Sequence, residues 1–67
     1  MNSQFEIDAL IQQINALRLQ LEASNIALSH ADTAENSASV RIYEEAIDVL
    51  KNRLITLEKL NKGSNRL

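Results

Sequence analysis

The stretch "SHADTAEN", residues 29–36, lies between two heptad patterns, and its conformation decides the architecture of the chain. It contains neither proline nor glycine, the residues that most often interrupt a helix. A helix that ran through it would form a rod on the order of 100 Å long, at about 1.5 Å per residue. A turn within it would instead produce a compact hairpin of two helices.

Each side of this stretch carries a regular apolar seam, with alternating spacings of three and four residues. The first seam comprises Ile7, Leu10, Ile14, Leu17, Leu21, Ser24, Leu28 and Ala31. The second seam comprises Val40, Tyr43, Ile47, Leu50, Leu54 and Leu57. From Leu28 to Val40 the spacing is two residues short of two full heptads. Because two residues correspond to about 200° of helix rotation, a continuous rod would present its two seams on opposite faces.

A turn within the quoted stretch resolves this conflict, because it allows the two seams to face each other in an antiparallel pair. Asp32, with a glutamate three residues later, has the spacing of a capping box and is the predicted N-cap of the second helix. Pairing about the turn places Ile14 opposite Ile47. Toward the chain ends, it places Ile7 opposite Leu54.

We therefore predict one all-α domain, an antiparallel two-helix hairpin. The predicted parts are a helix over about residues 4–29, a turn at about 29–32, a helix over about 33–62 and a frayed tail at 63–67. Ser3 is the expected N-cap of the first helix, and Gly63 is the expected stop of the second. Hydrophobic residues make up 45% of the chain and aromatic residues only 3%, which is typical of a helical bundle rather than a sheet.

The composition also excludes several kinds of site. The chain has no cysteine and a single histidine, so we expect no disulfide and no metal site. No apolar run exceeds three residues, so we expect no membrane insertion. The N-terminal "MNSQFEID" lacks the basic start and apolar block of a signal peptide, and a cytoplasmic location is therefore expected.

No arrangement of side chains in the sequence indicates catalysis or a cofactor, and we expect a protein that is not an enzyme. Glu44, Glu45 and Asp48 form an acidic group on the outer face of the second helix. Arg41 and Lys51 lie within helical reach, which favours a solvated, charge-paired surface over an acid–base pair. Beyond residue 50 the chain carries five cations and one acid, but it has no aromatic platform there, so nucleic-acid binding is not expected.

Both helices carry more apolar surface than one partner helix can cover. A surface helix normally shows a single apolar face, and chains this short seldom bury enough core alone. We therefore expect the hairpin to complete its core by association, as a homodimer or oligomer when alone, or with another protein. The predicted partner-binding residues are those that lie off the seams: Leu19, Ile26, Ile42, Val49 and Leu60.

Two stretches carry a resemblance to a known family: "QINALRLQLEASNIAL", residues 13–28, and "YEEAIDVL", residues 43–50. Over roughly residues 5–62 the chain resembles the small type III secretion needle co-chaperones of Yersinia-type and Salmonella/Edwardsiella-type systems. The resemblance implies a cytoplasmic, virulence-associated protein that binds a TPR-like second chaperone. It also implies that the two chaperones together keep the needle subunit from polymerising before export.

A second hypothesis belongs to a different class of function. The hairpin would be a structural or regulatory protein that associates with itself to form a four-helix bundle. A third, a small nucleic-acid regulator that acts through residues 51–66, has less support. A monodisperse, high-melting dimer in pure solution would favour the second hypothesis, whereas aggregation relieved by co-expression would favour the co-chaperone.

Overall fold

The computed structural model describes residues 4–64, and in this part of the chain two α-helices follow each other. Helix α1 spans Gln4–His30 and helix α2 spans Ala34–Ser64. The helices pack against each other, and the molecule measures 54 × 14 × 12 Å, far shorter than a continuous rod. The predicted all-α, two-helix hairpin is confirmed.

The best-buried part of the core lies in the half of the hairpin that is distant from the turn. Three residues of α1 and one of α2 are 4–7% exposed: Ile7, Leu10, Ile14 and Ile47. The remaining large apolar residues of both seams, from Leu17 to Leu28 and from Val40 to Leu57, are half-buried. Both seams therefore face the partner helix, as their three-and-four spacing requires.

One ion pair between the helices reports their register. The Arg53 guanidinium lies 3.8 Å from the Glu6 carboxylate, and both side chains remain more than half exposed. These two residues each directly precede a member of the predicted Ile7–Leu54 pair, so the antiparallel register agrees with the seam analysis. An ion pair this exposed contributes little to stability, because water competes with it on both sides.

The chain reverses direction at Ala31–Thr33, between the two helices. The Thr33 N–H donates to the Ala31 carbonyl at 2.9 Å, which is the i to i+2 hydrogen bond of a γ-turn. No non-glycine residue in the described part of the chain has a positive φ. The turn is therefore of the inverse type, which L-residues adopt readily, and it requires no glycine.

Side chains around the turn satisfy the backbone groups that the helix ends leave free. The Thr33 hydroxyl accepts the Asn36 N–H at 3.1 Å, which makes Thr33 the N-cap of α2. The Asn36 side-chain amide donates to the carbonyl of Ala31, one residue past α1, at 2.8 Å and to that of Ala27, in the last turn of α1, at 3.4 Å. Each of these carbonyls also accepts a backbone N–H at 2.9 Å. Asn36 thus joins the end of one helix to the start of the next. The predicted cap at Asp32 was wrong, because the chain turns one residue later than the capping-box spacing suggested.

The helix bounds differ from the predicted ones at two places. The turn expected at about 29–32 lies at residues 31–33, because α1 continues to His30. Helix α2 runs through Gly63 to Ser64, and no glycine in the described residues has a positive φ, so Gly63 does not end the helix. The predicted N-cap Ser3 and the last three residues of the predicted tail lie outside the described residues.

We predict that Asn36→Ala destabilises the hairpin by about 0.5–1.5 kcal/mol, because the side-chain hydrogen bonds that join the turn to α2 are lost while the carbonyls of Ala27 and Ala31 keep their backbone donors. The control is Asn52→Ala, which removes an exposed amide from the middle of α2 and should be neutral or slightly stabilising through helix propensity. Urea unfolding followed by circular dichroism at one fixed protein concentration measures the difference. Equal midpoints for the two variants would show that the Asn36 amide does not hold the turn.

Candidate protein-binding surface

All five predicted partner-binding residues are exposed in the hairpin. Their exposed fractions are 68% for Leu19, 57% for Ile26, 61% for Ile42, 67% for Val49 and 61% for Leu60. Large aliphatic side chains with this exposure leave apolar area in contact with water, and covering that area stabilises a complex. Each of the five is therefore accessible to a partner, and their relative positions decide whether one partner can contact several of them.

One broad side of the hairpin is apolar. From α1 it includes Ala16 and Ala23, and from α2 it includes Ile42, Ala46 and Val49. We call this surface the apolar side. Ala16 and Ala23 are seven residues apart, as are Ile42 and Val49, so each pair lies on one line along its helix, and Ala46 lies between Ile42 and Val49 on the adjacent position nearer the seam. Ala46 is half-buried and the other four are exposed.

The predicted residues differ in their relation to this surface. Leu19 and Ile26 lie opposite the seam of α1 and extend the apolar side around the back of that helix. In the antiparallel register Leu19 is level with Ile42, so these side chains border the same stretch of the hairpin. Leu60 is eleven residues beyond Val49, about 16 Å along the helix axis, and past the level of the first described residue of α1. The structure thus groups four of the five and leaves Leu60 apart.

The opposite broad side is charged, and we call it the charged side. Side chains from both helices line an open groove of about 530 Å³ there: Arg18, Leu21, Arg41, Glu44, Glu45, Ile47, Asp48 and Lys51. Among residues 4–64 the only ion pair joins Glu6 to Arg53, so the predicted charge pairing on this face does not occur within 4 Å. Long exposed side chains gain little from pairing in water, which explains why they remain solvated.

Three further large apolar residues are exposed that the sequence analysis did not select: Phe5 at 83%, Ile11 at 41% and Ile55 at 49%. Phe5 has the same heptad position as Leu19 and Ile26, and that spacing was a signal that could have identified it. Ile11 and Ile55 flank the seams on the charged side. They are therefore separate from the apolar side and provide controls for it.

The chemistry of the described residues is limited. No group of three or more His, Cys, Asp or Glu side chains between residues 4 and 64 could hold a metal ion. Over the same residues, neither helix combines the length and the apolar character needed to cross a membrane. No buried side-chain nitrogen or oxygen in the described part lacks a hydrogen-bond partner. In the described residues, the exposed apolar side chains are therefore the feature that suggests a function, which is binding to another protein.

Comparison with known proteins does not assign the chain to a family. No protein-family model, no curated protein and no solved structure matches it. The argument for its function therefore depends on the surface itself.

The surface area of the hairpin is large for its mass. A compact monomer of 7.5 kDa should expose about 4,200 Å². The hairpin exposes 5332 Å². The excess, roughly 1,100 Å², is more than the approximately 800 Å² that each partner contributes to a standard protein interface. The excess follows from the elongated shape of the hairpin, in which each helix has only one neighbouring helix, and it is spread over the whole molecule.

We predict that Ile47→Asp removes most of the helical signal in far-UV circular dichroism, whereas Val49→Asp retains that signal at low temperature. Ile47 is 7% exposed, and a charge there would be buried without a partner at a cost of several kcal/mol. Val49 is two residues away and 67% exposed, so its aspartate stays in water. Far-UV circular dichroism of the two variants measures the difference. An equal loss of helical signal would mean that the off-seam residues also hold the hairpin together.

Proposed function

We propose that this chain is a non-catalytic co-chaperone of the cytoplasm. It binds a TPR-like chaperone and helps keep a type III secretion needle subunit from polymerising before export. The observation that carries the proposal is the apolar side with its exposed anchors Ile42 and Val49, 61% and 67% exposed. The resemblance of residues 13–28 and 43–50 to the needle co-chaperones supplies the identity of the partner.

The shape of the surface fits recognition by a helical repeat protein. Such proteins stack helix pairs into an extended concave surface, and a helix binds in a groove through anchors spaced three, four or seven residues apart. Ile42 and Val49 are seven residues apart and project from the same face of α2. Leu19 and Ile26 repeat that spacing on the back of α1 and extend the contact area. The hairpin, 54 Å long, presents these anchors on helices that are already formed, which lowers the entropic cost of binding relative to a segment that folds as it binds.

The charged side gives the complex its orientation. Arg18, Arg41 and Lys51 lie there with Glu44 and Asp48, and each remains in water in the free hairpin. A partner on the apolar side leaves these charges solvated, so the complex does not bury an unpaired ion. A partner on the charged side would have to desolvate all of them. The electrostatic cost therefore favours docking through the apolar side.

A second candidate function is supported by the same exposed aliphatic residues. A structural or regulatory hairpin that forms a homodimer or a larger oligomer would cover Ile42 and Val49 with another copy of itself. In that case the bundle would be the functional form, and no chaperone would be needed. The two functions differ in whether a foreign protein binds the apolar side.

We predict that Val49→Asp and Leu19→Asp abolish capture of the chaperone. The experiment co-expresses the tagged hairpin with a TPR-like chaperone and needle subunit of a type III secretion system, and measures both proteins in the purified complex. An aspartate at an interface anchor loses its hydration in the complex and gains no ion pair or hydrogen bond in return. Each variant should therefore weaken binding by about tenfold or more. Loss of the chaperone should remove the needle subunit as well.

The matched control is Ile55→Asp, which places the same charge at an exposed aliphatic position on the charged side of α2. It should capture the chaperone as the unchanged protein does. Normal capture by Val49→Asp and Leu19→Asp, with loss only in variants of the buried seams, would contradict the co-chaperone proposal. The apolar side would then serve another copy of the chain.

A further inference from the structure

Two rows of different side-chain size run along the two edges of the apolar side. Helix α1 contributes small residues at heptad spacing, Ala16 and Ala23, and Ala9 continues that row toward the start of the helix. Helix α2 contributes two large aliphatic residues at the same spacing, Ile42 and Val49. Large residues that pack into a row of small ones allow two helices to approach closely without leaving voids. Each hairpin therefore carries both halves of a complementary helix–helix contact.

The two rows also match in position along the long axis of the hairpin. In the antiparallel register of the core, Ile42 is level with the middle of the interval between Ala16 and Ala23. Val49 is one heptad farther from the turn, level with the middle of the interval between Ala9 and Ala16. Both large side chains thus lie at axial positions that fall between successive alanines, where the alanine row of another copy leaves space.

We infer that the apolar side is a self-association surface, through which two copies of this chain assemble about a two-fold axis parallel to the long axis of the hairpin. This rotation does not change the position of any residue along the long axis. It places α2 of each copy against α1 of the other copy. Ile42 and Val49 then insert between the alanines of the second copy, and the same contact forms twice. The product is a four-helix bundle with both turns at one end and antiparallel neighbours throughout. The second copy covers the surface that the chaperone proposal uses, so this dimer is the state of the chain when it is alone.

The charges at the open end of the apolar side agree with this symmetry. Glu6 and Arg53 form the ion pair between the helices there, with side chains 60% and 64% exposed. About the same axis, each Arg53 comes level with Glu6 of the second copy, so acids and cations alternate around the axis. The charged side, with Arg18 and Asp48, remains in solvent. Opposite charges therefore meet in the dimer, and like charges do not.

The area and polarity of the surface suit a reversible dimer. One side of a hairpin 54 Å long and two helices wide is large enough for one standard interface, which covers about 800 Å² of each partner. Gln13 and Gln20 of α1 lie between the two rows and would be covered as well. Desolvating their amides opposes association, so the dimer gains less than an entirely apolar interface of that area would.

The first test is sedimentation equilibrium of the full chain at micromolar concentration. The unchanged protein should sediment as a dimer, and Val49→Asp should weaken dimerisation by about tenfold or more, because the aspartate is desolvated without a partner. The control Ile55→Asp, on the charged side, should leave the dimer unchanged. A monomeric unchanged protein, or an equal effect of both substitutions, would overturn the inference.

The second test does not depend on the stability of a charged variant. Because the chain has no cysteine, Ala16→Cys protein can be mixed with Ile42→Cys protein and oxidised. In the inferred bundle these positions are neighbours across the interface, so the mixture should form a linked dimer in several-fold higher yield than either protein alone. The control mixture of Ala16→Cys with Ile55→Cys should remain largely unlinked. Equal yields in the two mixtures would show that the copies meet through a different surface.

These outcomes are separable from those of the chaperone experiment. Failure to dimerise with normal capture of the TPR-like chaperone would overturn the inference alone. Specific cross-linking between positions 16 and 42 without any capture would support the inference and contradict the proposed function.

Discussion

The architecture depends on one constraint, the two-residue phase break between the apolar seams on either side of the turn. In a straight helix the break would place the two seams on opposite faces, and neither seam could cover the other. Folding back is the arrangement that lets Ile14 and Ile47 be buried together within one chain. The ion pair between Glu6 and Arg53, the position of the turn and the separation of an apolar side from a charged side all follow from that register.

Most of the hairpin could be predicted from the sequence, because heptad spacing specifies which residues face a partner helix. The chain reversal was less predictable in detail. Sequence patterns associate turns with glycine and proline, but here a γ-turn and the side chains of Thr33 and Asn36 replace them. The capping box at Asp32 competed with the Thr33 cap one residue later, and backbone geometry decided between them. Such one-residue choices depend on hydrogen bonds that spacing alone does not reveal.

The exposed residues were also predictable one by one, since each lies off its seam. Their grouping depends also on how far one helix is displaced along the other, and the pairing of the seams about the turn predicted that displacement. That displacement brings Leu19 level with Ile42 and leaves Leu60 beyond the start of α1. The expected pairing of Arg41 and Lys51 with nearby acids did not occur, since helical reach permits an exposed ion pair without making it favourable in water.

The location of the best-buried residues has a consequence for how the chain ends tolerate change. In many domains the first and last residues can be removed without harm. Here Ile7 and Leu10 are two of the three buried residues of α1, and they lie in the first two turns of that helix. They are also far in sequence from the residues that cover them, so a long loop must close before this part of the core forms. Removing the first two turns of α1 would remove two of the four best-buried residues of the hairpin, whereas changes at the turn would affect mainly half-buried contacts.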